Sequence, residues 1–272
     1  MKRILFTVLF TLLALITYAQ KKKTIYFDEN YETISLKKFD KKAGLNFFLV
    51  ATIKNDTTTF KKLRFKEFFG KLSIKKKSQL NKLFKKRFEI DTTKVWLIHY
   101  IDSLPNVKKM YKKSGFVFLD SMGDDVGEVL TKKEFKNVTL SNSSSLVDKN
   151  KRYINKRHKH VVDYESYKRI IPNEVEKYSR FKKLELLHFY NYNKGYPTED
   201  IQLEKWFKDG NLVLRKIFTD GIAMYRTIVI HPNGNFYIVA HNISYDKQKN
   251  KINFKSYKRA KKKWRKEYEK YH

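Results

Sequence analysis

Three glycine-bearing turns in the last third of the chain restrict its possible folds more than any other feature. Asp209-Gly210, Asp220-Gly221 and Pro232-Asn233-Gly234 separate four strand-length apolar runs at 201–208, 212–218, 222–230 and 236–243. Glycine adopts positive φ without steric penalty, which is what tight hairpin connections demand. The pattern predicts a four-stranded antiparallel meander.

Helices flank this region. Pro172 suits the first position of a helix, where its missing N–H is no loss. Val175, Tyr178, Phe181, Leu184, Leu187 and His188 then recur at helical spacing to about Tyr190. At the other end, residues 254–271 read as a basic helix.

The earlier part alternates strands and helices. Residues 24–28 form a short strand, and Ser35 caps a helix over 36–43 that stops at Gly44. Strands at 47–54 and 58–65 pair through Asn55-Asp56 as a hairpin. Ser73 opens a helix bearing Ile74, Leu80, Leu83, Phe84 and Phe88 near one face, and 94–101 is the most strand-like stretch in this part. The order β-α-β-β-α-β is that of ferredoxin-like folds. Beyond Pro105 come a short helix at 107–113, a strand at 116–119 and a small helix near 132–135. The fold class is therefore α+β. Its expected divisions are a signal at 1–19, an α/β portion at 20–140, a linker or long loop at 141–162, and a helix, meander and basic helix at 163–272.

The N-terminal segment has the order of a secretory signal. Lys2 and Arg3 precede an apolar run over 4–16 interrupted only by Thr7 and Thr11, and Ala19 is the small residue at the cleavage position. The run is shorter than the ~20 residues of a membrane span. Lys21, Lys22 and Lys23 follow at once and oppose translocation, so an uncleaved anchor is the competing reading. The ending Tyr18-Ala19-Gln20 resembles signals of exported proteins in Gram-negative bacteria. The expectation is a periplasmic or extracellular product.

Cysteine is absent, which excludes disulfides, thiol catalysis, iron–sulfur clusters, cysteine-bound zinc and a lipid-bearing cysteine after the signal. No later apolar stretch approaches the length of a span. Sixty basic residues oppose 28 acidic ones, a formal charge of +32, of which signal removal subtracts two. Such a field attracts lipopolysaccharide, acidic glycans, nucleic acid or an anionic membrane. Lysine supplies most of it alongside abundant Asn, Ile, Tyr and Phe, all residues with AT-rich codons, so genome composition competes with selection as its origin.

Within the terminal helix, Phe254, Tyr257, Trp264, Tyr268 and Tyr271 make an aromatic stripe. Lys258, Arg259, Lys261, Lys262, Lys263, Arg265 and Lys266 surround it. Aromatic plus cationic side chains suit an anionic membrane or single-stranded nucleic acid. A stripe that simply packs on the meander is the competing reading, and docking it would still leave a basic outer face. These residues, Trp264 included, are the candidate binding set.

Other patterns carry less chemistry. His158 and His160 share a face in a strand but lie among Arg157 and Lys159, and the spacings of His99, His188, His231 and His241 display no convergent zinc set. His99 and His241 read as structural histidines, and neither a metal nor a cofactor is expected. Asp124, Asp125 and Glu128 form an acidic cluster set among Gly123 and Gly127 that fits a solvated turn better than a calcium loop. Ser143, Ser144 and Ser145 lack a nucleophile elbow, and no phosphate-binding glycine loop occurs. Thr57, Thr92, Ser103 and Ser121 each follow Asp and resemble acceptors of some bacterial periplasmic O-glycosylation systems, which would put them on exposed loops. The leading expectation is a non-catalytic envelope binding protein with a preference for anionic surfaces. An envelope hydrolase using Asp124, Asp125 or a histidine, and a protein–protein module of an envelope machine, are the alternatives.

Overall fold

The computed structural model describes residues 23–120, 124–141, 158–219, 225–240 and 245–271. The signal segment, Ser121, the serines at 143–145, the turn at 220–221 and His241 lie outside these residues.

Along the chain the elements begin β1 (Lys23–Phe27), α1 (Leu36–Ala43), β2 (Phe48–Lys54), β3 (Thr58–Phe65), β4 (Glu67–Lys71), α2 (Ile74–Phe88) and β5 (Val95–Leu104). They continue with β6 (Gly115–Leu119), β7 (Asp125–Leu130), α3 (Lys132–Ser141), β8 (His158–Val161), α4 (Tyr164–Lys168), α5 (Ile170–Tyr178) and β9 (Leu184–Asn193). The last are α6 (Thr198–Leu203), β10 (Trp206–Lys208), α7 (Val213–Phe218), β11 (Thr227–Ile230), β12 (Asn235–Val239), α8 (Tyr245–Ile252) and α9 (Phe254–Tyr268). The class is mixed α+β, and among the described residues no helix is long and apolar enough to cross a membrane. Two compact units divide the chain inside α2. The first takes residues up to Gln79 together with those from Leu214 onward, and the second is Leu80–Val213.

In the first unit β3 lies between β1 and β2. The β2–β3 hairpin forms as expected, with the Asn55 side chain accepting from the backbone N–H of Thr57 and Thr58 at its tip. Helix α1 starts where Ser35 accepts from the Lys38 N–H. It buries Phe39 against Phe48 and Leu63, and each such side chain stabilises by about 1.5–3 kcal/mol on burial. The ferredoxin-like topology is not what forms. In that fold every neighbouring pair is antiparallel, whereas β1 runs parallel to β3, and the last strand of the expected set, β5, pairs with β9 instead.

The same unit holds a second ladder, β11–β12–β4, antiparallel throughout. Its turn at Pro232-Asn233-Gly234 is a true hairpin, with Gly234 at φ +83°. The remainder of the expected meander is replaced. Residues 198–203 and 213–218 are helical. Leu214 and Phe218 are buried together at a four-residue spacing, which places them on one face in a helix as well as in a strand, so periodicity alone does not separate the two. Asp209 is no solvated turn residue either, because it is buried and accepts from the Tyr100 hydroxyl.

In the second unit β9 lies between β5 and β10, all parallel. The expected long helix to Tyr190 stops at Tyr178, and Leu184–Asn193 is a strand. Its near-continuous apolar run is what a parallel strand covered on both faces requires, and the helical spacing of Leu184, Leu187 and His188 coincides with it. Phe84 of α2 is fully buried and stacks on Trp96 and Phe189 at ring distances of 4.6 and 5.5 Å. A small antiparallel sheet, β7–β6–β8, completes the unit, with β8 lying inside the stretch expected to be linker.

Candidate functional site

Helix α9 carries the aromatic stripe. Asn253 caps it by accepting from the Ser256 N–H. Tyr257 is buried, and its hydroxyl donates to the Phe236 carbonyl at 3.0 Å. Trp264 stacks on Tyr268 at 5.3 Å and meets Phe65, Phe68 and Phe69 at 5.6–5.9 Å. From Phe254 to Tyr268 the aromatic face thus packs on the first unit, while Tyr271 beyond the helix end is exposed. Trp264 belongs to that packing, and its indole N–H is buried without a hydrogen-bond partner among the described residues.

The rest of the candidate set faces outward. Lys258, Arg259, Lys262, Lys263, Arg265 and Lys266 are exposed, and Lys261 is half-buried. Two i,i+4 ion pairs occur on this helix, Lys263–Glu267 at 3.8 Å and Arg265–Glu269 at 2.7 Å. A hollow of about 330 Å³ runs along α9, lined by Phe254, Lys258, Lys261, Lys262 and Arg265. On its other flank lies a cleft of about 860 Å³ whose walls include Lys66, Glu67, Lys251, Lys263 and Trp264. In that cleft Lys251 sits over the Phe69 and Tyr237 rings at 4.8 and 4.7 Å, and burial pushes its ammonium below the usual lysine range. The Tyr237 hydroxyl donates to Glu67 at 2.6 Å.

The second unit contains a constellation that no spacing in the sequence displays. His99 of β5 and His188 of β9 are register partners on neighbouring strands, so both rings stand on one sheet face. Glu174 of α5 meets them there, its Oε2 lying 2.8 Å from His99 Nδ1 and 2.8 Å from His188 Nε2. Trp206 of β10 is the next register partner in the row, with its ring 5.4 Å from that of His188. Burial alone would raise the Glu174 carboxyl, but hydrogen bonds from His188 and His99 outweigh it and hold the group at about 2. Burial lowers His188, favouring the neutral imidazole. One donor atom from each of the three residues lies within 4.8 Å of the others.

The acidic cluster is arranged differently. Asp125 opens β7 at an exposed position, where Lys159 at 2.7 Å and the Tyr111 hydroxyl hold its carboxyl below the usual carboxylate range. The histidines beside Lys159 turn elsewhere, with His158 and His160 packing against Phe116. His231 is buried between Phe254 and Tyr257. Of the acceptor-like hydroxyls, Thr57 is exposed in its turn, but Thr92 is half-buried and Ser103 lies half-buried within β5. Comparison of the chain with protein-family models, curated proteins and solved structures finds no match in any of the three.

Proposed function

We propose that the protein is exported and binds anionic surfaces of the bacterial envelope, without catalysis, through the outer face of α9. The observation that carries this reading is the division of labour on that helix. Its aromatic side chains from Phe254 to Tyr268 pack inward, while Lys258, Arg259, Lys262 and Lys266 stand exposed beyond the two glutamate-paired bases. The lysine-lined hollows on either side would admit phosphate or carboxylate groups of a lipopolysaccharide or acidic glycan. The hydrolase alternative built on Asp124 and Asp125 loses support, because Asp125 is engaged by Lys159 and Tyr111.

The test is salt-dependent binding to lipopolysaccharide-bearing vesicles, with duplex DNA as a polyanion of known charge spacing. Each base that meets a DNA phosphate adds about 0.9 to the log–log salt slope. Changing Lys261, Lys262, Lys263 and Lys266 to glutamine should lower the slope by about 3–4. That is roughly a 100-fold smaller affinity loss between 50 and 200 mM salt. Affinity that is flat with salt, or a slope untouched by the four substitutions, refutes the proposal.

A further inference from the structure

The geometry points to a divalent transition-metal site, of the zinc type, formed by His99, Glu174 and His188 in the second unit. Two imidazoles and one carboxylate are a donor set that zinc accepts, and three protein ligands leave a fourth position for water. The ligands come from three separate elements, β5, α5 and β9, so their convergence is a product of the fold and not of a local turn.

The distances suit insertion of an ion. Zinc bonds of about 2.0–2.2 Å in a tetrahedron separate neighbouring donor atoms by about 3.3–3.5 Å. Both imidazole nitrogens now lie 2.8 Å from Glu174 Oε2, so each contact has to open by only about half an ångström. The remaining donor separation, at most 4.8 Å, has to close by no more than about one and a half ångströms. The surroundings fit as well. His188 is buried against the Trp206 ring, whose own N–H is fixed by Glu204 at 2.9 Å. The Glu174 side chain remains about one quarter exposed, which gives an ion and its water a path from solvent. Nε2 of His99 is buried with no hydrogen-bond partner among the described residues, so that imidazole is hydrogen-bonded through Nδ1 to Glu174.

The competing explanation is a structural clip, with one carboxylate tying α5 to two strand histidines. The two differ in what zinc does to the wild-type protein. Full-length, tag-free chain stripped with a chelator should take up one zinc ion, measured by elemental analysis and by competition with a chromophoric chelator. Long-range ¹H–¹⁵N spectra of the histidine rings should then show Nδ1 of His99 and Nε2 of His188 shifting on zinc addition. His99→Gln, Glu174→Gln and His188→Gln should each weaken binding by more than about 100-fold, beyond what outer-shell changes cause. The His158→Gln/His160→Gln double variant should bind as wild type. Circular dichroism checks that each variant folds, and the ring spectra of the wild type decide the matter even where one does not. No stoichiometric uptake, shifts confined to other histidines, or folded trio variants with unchanged affinity would each overturn the site.

Discussion

Gly70 and Phe236 face each other in register across β4 and β12, and the pair offers a sharp test of the surface that seats α9. A Cβ built on Gly70 would lie 2.2 Å from Phe236 Cζ and 2.6 and 2.8 Å from its two Cε atoms. Ordinary contact begins at 3.4 Å, so the Gly70→Ala variant forces the ring back by about 1.2 Å. Behind that ring stand Phe218 at 5.3 Å and Phe68 at 6.2 Å, and Phe68 in turn touches Trp264. Overpacking of this kind costs about 1–3 kcal/mol. Phe236 is only half-buried and has room to yield, which favours the lower half of that range. For a unit of about 140 residues the loss corresponds to about 4 °C in Tm per kcal/mol. Trp264 is the tryptophan of the first unit, while Trp96 and Trp206 belong to the second. Labelling with 5-fluorotryptophan therefore resolves the first unit's unfolding in a urea titration followed by ¹⁹F NMR. Phe236→Leu alone should also destabilise, but the double variant should recover part of the Gly70→Ala loss, with a coupling of about 0.5–3 kcal/mol. A loss below about 0.5 kcal/mol for Gly70→Ala, or strictly additive effects in the double variant, would show that the glycine is not there to accommodate the ring.

Two further perturbations probe the cores. Burial holds His231 at about 4, well below its usual 6.5, against the smaller opposing effect of its bond to the Lys251 carbonyl. A base whose folded pKa is depressed contributes fully above 6.5. Its contribution then falls by about 1.4 kcal/mol per pH unit down to about 4. The first unit should therefore be about 2 kcal/mol less stable at pH 5 than at pH 7 on this account, and His231→Gln should remove that slope from the Trp264 resonance. An identical slope in the variant would assign it to other groups. In the second unit, Phe84→Ala empties a fully buried site between Trp96 and Phe189 and should cost about 3–5 kcal/mol by urea denaturation monitored at Trp96. A cost under 1 kcal/mol would mean that the ring stack is not a core.

Local chemistry made some of this architecture readable in advance. Ser35, Asn55 and Ser73 act through neighbours a few residues away, and the Phe254–Tyr268 stripe repeats at helical spacing within its own segment. The α1 cap, the β2–β3 tip, the start of α2 and the course of α9 consequently follow the residues. Sequence and structure part where two periods coincide or where tertiary partners override a turn signal. Leu214 and Phe218 fit a helix and a strand equally well, and Asp209-Gly210 looks like a hairpin turn until Tyr100 is seen to claim the aspartate. The histidine–glutamate trio was hidden for another reason. His99 and His188 become neighbours only through the parallel register of β5 with β9, and the run holding His188 had the spacing of a helix continuing from Pro172. Glu174 carried no signal, since an isolated glutamate in a helix normally meets water.

The two-segment make-up of the first unit bears on how the chain is born. Strand β4 leaves the ribosome before any of Leu80–Val213, but β12, its ladder partner from Glu67↔Val239 to Lys71↔Asn235, comes after all of it. Through that interval Phe68 and Phe69 form an aromatic strand edge awaiting its mate, the kind of segment that recruits other chains. Lys66 and Lys71 stand two positions to either side of the Phe68-Phe69 pair. As gatekeepers, these two charges would guard nascent chains against aggregation while the second unit is being completed.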